Sequence, residues 1–213
     1  MTVLPGNVVA SYEKVIVLPS SDHIKELHTV LRDKNTDRSE FVFCADRLMR
    51  LVIEEGLNQL PFSAVQITTP TGCDLYLPQR GGHGACTTYV LPFNSVFLSP
   101  FFVVTTVHFF YRIGKILLGE ENQVLYSKFM TDIARRRVLL LYPILSTGLT
   151  VCKAANVLIQ NGVAEENIIL LSVFSTPNSI KYIRKNYANM TVITSEMNAN
   201  VPHSFTTRYF GTD

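Results

Sequence analysis

The chain has 213 residues, 47% hydrophobic and 17% charged, with a net charge of +2 and no tryptophan. That length suits one domain whose core folds without staples, and the charge balance gives no reason to expect nucleic-acid binding, which usually shows a basic stripe. Cys44, Cys73, Cys86 and Cys152 lie far apart. Cys73, His83 and Cys86 lack zinc-finger spacing, so free thiols in a reducing compartment are expected and a metal site is not. The start, MTVLPGNVVASYEKVIVLP, has neither the basic opening nor the cleavage site of a signal peptide. The cytoplasm is the expected compartment, with the nucleus left open.

Residues 1–20 read as an N-terminal extension and 21–213 as a single domain. Ser21 is placed to cap a helix that buries Ile24, Leu27, Val30 and Leu31. A second helix from about Ser39 puts Phe41, Cys44, Leu48, Leu51 and Val52 on one side, and Gly56 and Pro61 bracket its end. Ala64 to Thr69 alternates like a strand, and Pro70-Thr71-Gly72 turns the chain.

Residues 73–111 form an atypical apolar block. From Gly81 to Tyr111 there are 31 residues with no Asp, Glu, Lys or Arg. Length and polarity would allow a membrane span. Pro92 and Pro100 interrupt any helix, and only Arg80 flanks the run in front, so buried strands are the better expectation. A sharp change of character between two ordinary flanks is also what a mis-assigned exon boundary would produce.

Beyond Arg137 the pattern is regular. Val138 to Tyr142 is a continuous apolar run suited to a strand covered on both faces. A helix over 151–160 closes at Asn161-Gly162. A strand follows over 168–175, a helix opens at Pro177-Asn178, and Val192-Ile193 begins another strand. Strand, helix, strand, helix, strand at this spacing predicts an α/β fold with a parallel sheet flanked by helices.

Ligands in such sheets bind where strand ends meet helix starts. LYPILSTGLT, residues 141–150, places Ser146, Thr147 and Gly148 at such a junction. Their backbone N–H groups, the helix dipole and two hydroxyls suit an anion such as phosphate.

LLYPILSTGLTV, NGVAEENIILLSVFSTP and the terminal RYFGTD resemble the uracil phosphoribosyltransferase family, in particular its animal homologues. RDKNTDRSEFVFCADRLMRLVIEEGLNQLP and VQITTPTG are similar to the family's N-terminal half. The resemblance implies a type I phosphoribosyltransferase-like fold. It also implies transfer of ribose 5-phosphate from phosphoribosyl pyrophosphate to uracil, giving UMP and pyrophosphate in pyrimidine salvage, usually with magnesium. It assigns Tyr142, Ser146, Thr147 and Gly148 to phosphoribosyl pyrophosphate and puts uracil against the backbone near His203, Ser204 and Phe205, where a base could stack on Phe205. The residues alone also read as Phe205, Tyr209 and Phe210 closing the core. Arg38, Arg47, Arg112 and Arg136 fall where some members bind GTP as an effector. Members commonly pair as homodimers.

Several family features are missing. Tyr142 stands where the family has an acid that holds the ribose hydroxyls, and Leu149 replaces a second glycine. The apolar block replaces an arginine-bearing turn that contacts pyrophosphate. Gly119 and Glu120 stand near the expected place of a second arginine, and the glycine-rich uracil loop is not evident before RYFGTD. Breaking the ribose C1–O bond loads charge on the leaving group, so the protein's contribution is mainly electrostatic. Losing one such donor costs about 2.7–4 kcal/mol, and losing several together implies a rate deficit beyond ~10⁴. The expectation is a nucleotide-binding pseudoenzyme. An active uracil phosphoribosyltransferase and a non-enzymatic dimeric interaction protein are the alternatives.

Overall fold

A computed structural model describes residues 13–80, 85–92, 113–118 and 124–210. The chain begins with strand β1 (Val15–Val17), helix α1 (Asp22–Arg32) and helix α2 (Arg38–Asn58). Strands β2 (Phe62–Thr68), β3 (Asp74–Arg80), β4 (Ala85–Pro92), β5 (Ile113–Leu118) and β6 (Val124–Lys128) follow. The second half runs β7 (Arg137–Leu141), β8 (Ile144–Leu145), α3 (Leu149–Gln160), β9 (Ile168–Ser175), α4 (Pro177–Asn186), β10 (Thr191–Met197) and α5 (Phe205–Phe210).

The main sheet has the order β1-β10-β9-β7-β4-β5-β6, with β8 added beside β9. Every pairing in it is parallel except β5 with β6. This is the expected α/β architecture, a parallel sheet between two helical layers. Alternation along β7 divides the core. Leu139 and Leu141 face the α1, α2 and α5 layer, while Val138 and Leu140 face α3 and α4. A strand buried on both faces must be apolar throughout, which is why the run reads as continuous. Leu140 is 0% exposed, so its truncation to alanine opens a cavity costing about 2–5 kcal/mol.

The helix ends follow from local chemistry. Ser21 accepts from the Ile24 N–H at 3.2 Å and caps α1. Asp37 does the same for α2 through Glu40 N–H at 2.9 Å. Gly162 ends α3 with φ +87°, a conformation that costs other L-residues about 1–2 kcal/mol.

Two parts of the sequence expectation change. The boundary at residue 20 moves, because Val15–Val17 pairs with Val192–Thr194 and forms the sheet edge. Its three residues are too few to show periodicity, and only the long-range partner reveals the strand. Part of the apolar block is also an ordinary inner strand: β4 lies between β7 and β5, with Cys86 opposite Val138 and Thr88 opposite Gly114. The phenylalanine-rich remainder of the block lies outside the described residues. Among the described residues, no helix is long and apolar enough to cross a membrane.

β2 and β3 make a separate antiparallel hairpin. Val65 lies opposite Leu77 and Ile67 opposite Leu75, which places four apolar residues on one face. Ile67, Leu75 and Leu77 are 41%, 43% and 44% exposed.

Candidate functional site: an anion cradle at the strand ends

The cradle forms where β7 and the short β8 hand over to α3. Gly148 caps α3 with φ +83°, in the left-handed region that favours glycine. A Cβ there would lie 3.1 Å from Ile183 Cγ1 and 3.2 Å from the Ser179 carbonyl, so the loop sits tight against α4. Thr147 is exposed, and Ser146 and Tyr142 are half-buried. The first turn of α3 has no acidic residue, and LYPILSTGLT contains no charged side chain. Positive potential from the helix start is therefore unopposed locally.

The loop is supported from beneath by hydroxyls that sequence reasoning missed. Thr176 Oγ1 donates to the Ser146 carbonyl at 2.7 Å, and Ser179 Oγ donates to the Leu145 carbonyl at 3.0 Å. Ser172 Oγ reaches the Pro143 carbonyl at 3.1 Å. Farther along the same strand ends, Ser175 Oγ donates to Thr194 Oγ1 at 2.9 Å. All five hydroxyl residues are buried. Pro177-Asn178 was legible as a helix start, but the Thr176 hydroxyl before it and its partner 30 positions back were not.

The expected uracil segment follows β10 and therefore lies at the same end of the sheet as the cradle. His203 and Ser204 are exposed. Phe205 is not: its ring is 2% exposed, 5.3 Å from Phe41, 6.0 Å from Phe174 and stacked on Tyr209. A base cannot stack on a ring enclosed this way, so Phe205 closes the core. Phe174 joins the two regions, since its backbone pairs with Ile144 of β8 and its ring meets Phe205.

Two arginines hold the C-terminal segment. Arg32 donates to Glu196 Oε2 at 2.5 Å and to the Asn200 carbonyl at 2.8 Å, with its guanidinium 5.1 Å from the Phe174 ring centre. Arg208 donates to the carbonyls of Asp33 and Thr36 and lies over Phe41. Burial alone would raise Glu196, but the Arg32 hydrogen bond and charge, with Asn198, hold its carboxyl below the usual range. Burial pushes His28 down against the opposing pull of Glu196.

Of the four arginines expected for GTP, the three among the described residues are not gathered. Arg38 and Arg47 are nine residues apart on α2, so they project from opposite sides about 13 Å apart along the axis. Arg38 donates to the Tyr209 carbonyl, and Arg47 lies over Phe43. Arg136 is buried and ion-paired with Asp132 at the start of β7, the end of the strand remote from the cradle. Arg112 lies outside the described residues. So do Gly119, Glu120 and 93–112, where the missing pyrophosphate contacts would fall.

Magnesium prefers carboxylate oxygens together with substrate phosphates. The cradle has no carboxylate, and no group of three His, Cys, Asp or Glu assembles among the described residues. These residues do not fit a protein-held magnesium ion.

The family model described as uracil phosphoribosyltransferase matches residues 17–91 and 98–210. A Danio rerio protein named uracil phosphoribosyltransferase homolog is 47% identical over 202 residues, covering 92% of this chain and 77% of its own length. The Homo sapiens protein of that name is 46% identical over 202 residues, covering 92% of this chain and 64% of its own. The uracil phosphoribosyltransferase of Dictyostelium discoideum is 37% identical over 215 residues, covering 94% and 98%. Among solved structures, the AQ2163 protein of Aquifex aeolicus superposes with a TM-score of 0.72 at 14% identity, covering 92% and 97%, a likeness of fold alone. The family match spans both helical layers, the sheet and the Ser146–Gly148 cradle, and the chain belongs to the uracil phosphoribosyltransferase family.

Proposed function

We propose that this chain binds the 5-phosphate of a phosphoribosyl ligand, UMP or phosphoribosyl pyrophosphate, at Ser146–Gly148 and turns it over poorly or not at all. One observation carries the reading: a left-handed Gly148, where an added Cβ would lie 3.2 Å from the Ser179 carbonyl, opening a helix whose first turn has no acid. Backbone N–H groups bind the phosphate, and the Ser146 and Thr147 hydroxyls add donors. Tyr142 offers a ring edge where a carboxylate would orient ribose hydroxyls. No arginine or lysine stands in residues 81–111 or at Gly119 and Glu120, where the family's pyrophosphate contacts are expected, so the loop holds the phosphate and a departing pyrophosphate lacks those cations.

The test combines binding with turnover. Titration calorimetry with UMP and ribose 5-phosphate is expected to give heat that Thr147→Ala weakens. Labelled uracil with phosphoribosyl pyrophosphate and magnesium is expected to yield no UMP at ordinary enzyme rates. Rapid UMP formation, abolished by Thr147→Ala, would establish an active enzyme instead. No heat with either ligand would leave the cradle without a phosphate role.

The hairpin favours a homodimer as well. A two-stranded hairpin is marginal on its own, and the Val65, Ile67, Leu75, Leu77 face leaves apolar area in water. A second copy covering that face would supply the missing layer.

A further inference from the structure

One hydroxyl serves two elements at the edge of the cradle. Thr176 Oγ1 accepts from the Ser179 N–H at 3.0 Å and so caps α4. The same oxygen donates its hydrogen to the Ser146 carbonyl at 2.7 Å. A hydroxyl has one hydrogen and two lone pairs, so the two bonds do not compete. Next to it, the Leu145 carbonyl accepts from Thr176 N–H at 2.9 Å, while the one hydrogen of Ser179 Oγ is shared between that carbonyl at 3.0 Å and the Thr176 carbonyl at 2.8 Å. Thr176 is 9% exposed and Ser179 0%. Water therefore cannot readily replace a lost partner here.

Peptide geometry turns these bonds into a statement about donors. In a planar trans peptide the C=O and the following N–H point in opposite directions. Pinning the Leu145 carbonyl toward α4 aims the Ser146 N–H away from it. Pinning the Ser146 carbonyl does the same for the Thr147 N–H. Two successive N–H groups are thus turned outward before any ligand arrives, which lowers the ordering cost of binding.

We propose that Thr176 is a positioning residue of the cradle: its hydroxyl, assisted by Ser179, fixes the Ser146 and Thr147 peptides so that their N–H groups face an incoming phosphate. This rests on the reading that Ser146–Gly148 receives a phosphate. The bond carries the geometry, and the cap to α4 is its second duty.

The experiment uses the full chain, amide relaxation by nuclear magnetic resonance, and ribose 5-phosphate as the probe. In the parent protein the Thr147 amide is expected to be rigid, with an order parameter of about 0.85. Thr176→Val is expected to lower it below about 0.6 and to weaken ribose 5-phosphate about tenfold. Thr176→Ser, which keeps the hydroxyl, is expected to restore both. Ser21→Ala removes an equivalent helix cap far from the cradle and is expected to change neither. Should Thr176→Val not fold, Ser179→Ala takes its place and is expected to loosen the Ser146 amide. An unchanged Thr147 amide in folded Thr176→Val overturns the proposal, as does an equal effect from Ser21→Ala. A loop that loosens on Thr176→Val in a parent protein blind to ribose 5-phosphate upholds the brace and removes the proposed function.

Discussion

The phenol of Tyr209 donates to Oδ1 of Asp46 at 2.6 Å, joining α5 to the middle of α2 across 163 residues of sequence. Both side chains are buried. Burial pushes the Asp46 carboxyl up, against the opposing effects of Tyr209 and Arg50, and burial with Asp46 pushes the Tyr209 phenol far above its ordinary value. The phenol is therefore the donor across the whole working pH range. The bond secures the helix that follows the His203–Ser204 segment.

Removing that donor should be expensive. Tyr209→Phe leaves the ring stack with Phe205 but strips the buried carboxylate of this partner, a loss of about 1–3 kcal/mol. Urea unfolding is expected to show a lower midpoint at an unchanged slope.

Gly148→Ala tests the cradle backbone. The left-handed conformation costs an alanine about 1–2 kcal/mol, and its Cβ would meet Ile183 and the Ser179 carbonyl at 3.1 and 3.2 Å. Relief requires the loop to move off α4. Calorimetry is expected to find ribose 5-phosphate binding lost in a protein that still melts cooperatively.

Acid should loosen the clamp on the C-terminal segment. His28 is depressed in the folded protein, so the unfolded chain binds its proton more readily. Stability from this source is complete above the unfolded value of about 6.5 and declines as pH falls toward the folded value. Glu196 is also depressed and adds a loss below the unfolded carboxylate value of about 4.3. Asp46, raised, has the opposite sign and partly offsets the second phase. Denaturation midpoints from pH 8 to 4 are expected to fall in two stages, and His28→Gln is expected to remove the upper one.

The hairpin face makes the dimer testable. Leu75 and Leu77 point to the same side, opposite Ile67 and Val65. Leu75→Glu with Leu77→Glu places two charges where a partner would have to exclude water. Sedimentation is expected to change from dimer to monomer at micromolar concentration, with thermal unfolding of the main sheet little altered.

The second half of the chain was readable because its strands are buried on both faces and its helices on one. β9 was placed at its true limits, 168–175, because eight successive apolar or small residues have only a sheet interior to occupy. The placement of Ser146-Thr147-Gly148 between a strand and a helix start was readable for a related reason, since the apolar run of β7 ends just before it and a glycine marks the turn. The edge strand at Val15–Val17 was not, and neither was the enclosure of the Phe205 ring by Phe41, Phe174 and Tyr209. Three residues carry no period, and an aromatic ring reads the same whether it meets a ligand or a neighbour.

By itself the sequence determined the α/β order, the family resemblance, the position of the Ser146–Gly148 turn and the lack of Asp or Glu within residues 141–150. Those follow from hydrophobic period, turn chemistry and residue identity, which are local properties. Only the tertiary structure decided that Phe205 is enclosed and that Arg136 is paired at the remote end of β7. It also decided that Thr176 and Ser179 hold the cradle from a helix thirty residues away. Each of those depends on which distant group fills a hydrogen bond or a cavity, and chain spacing does not encode that choice.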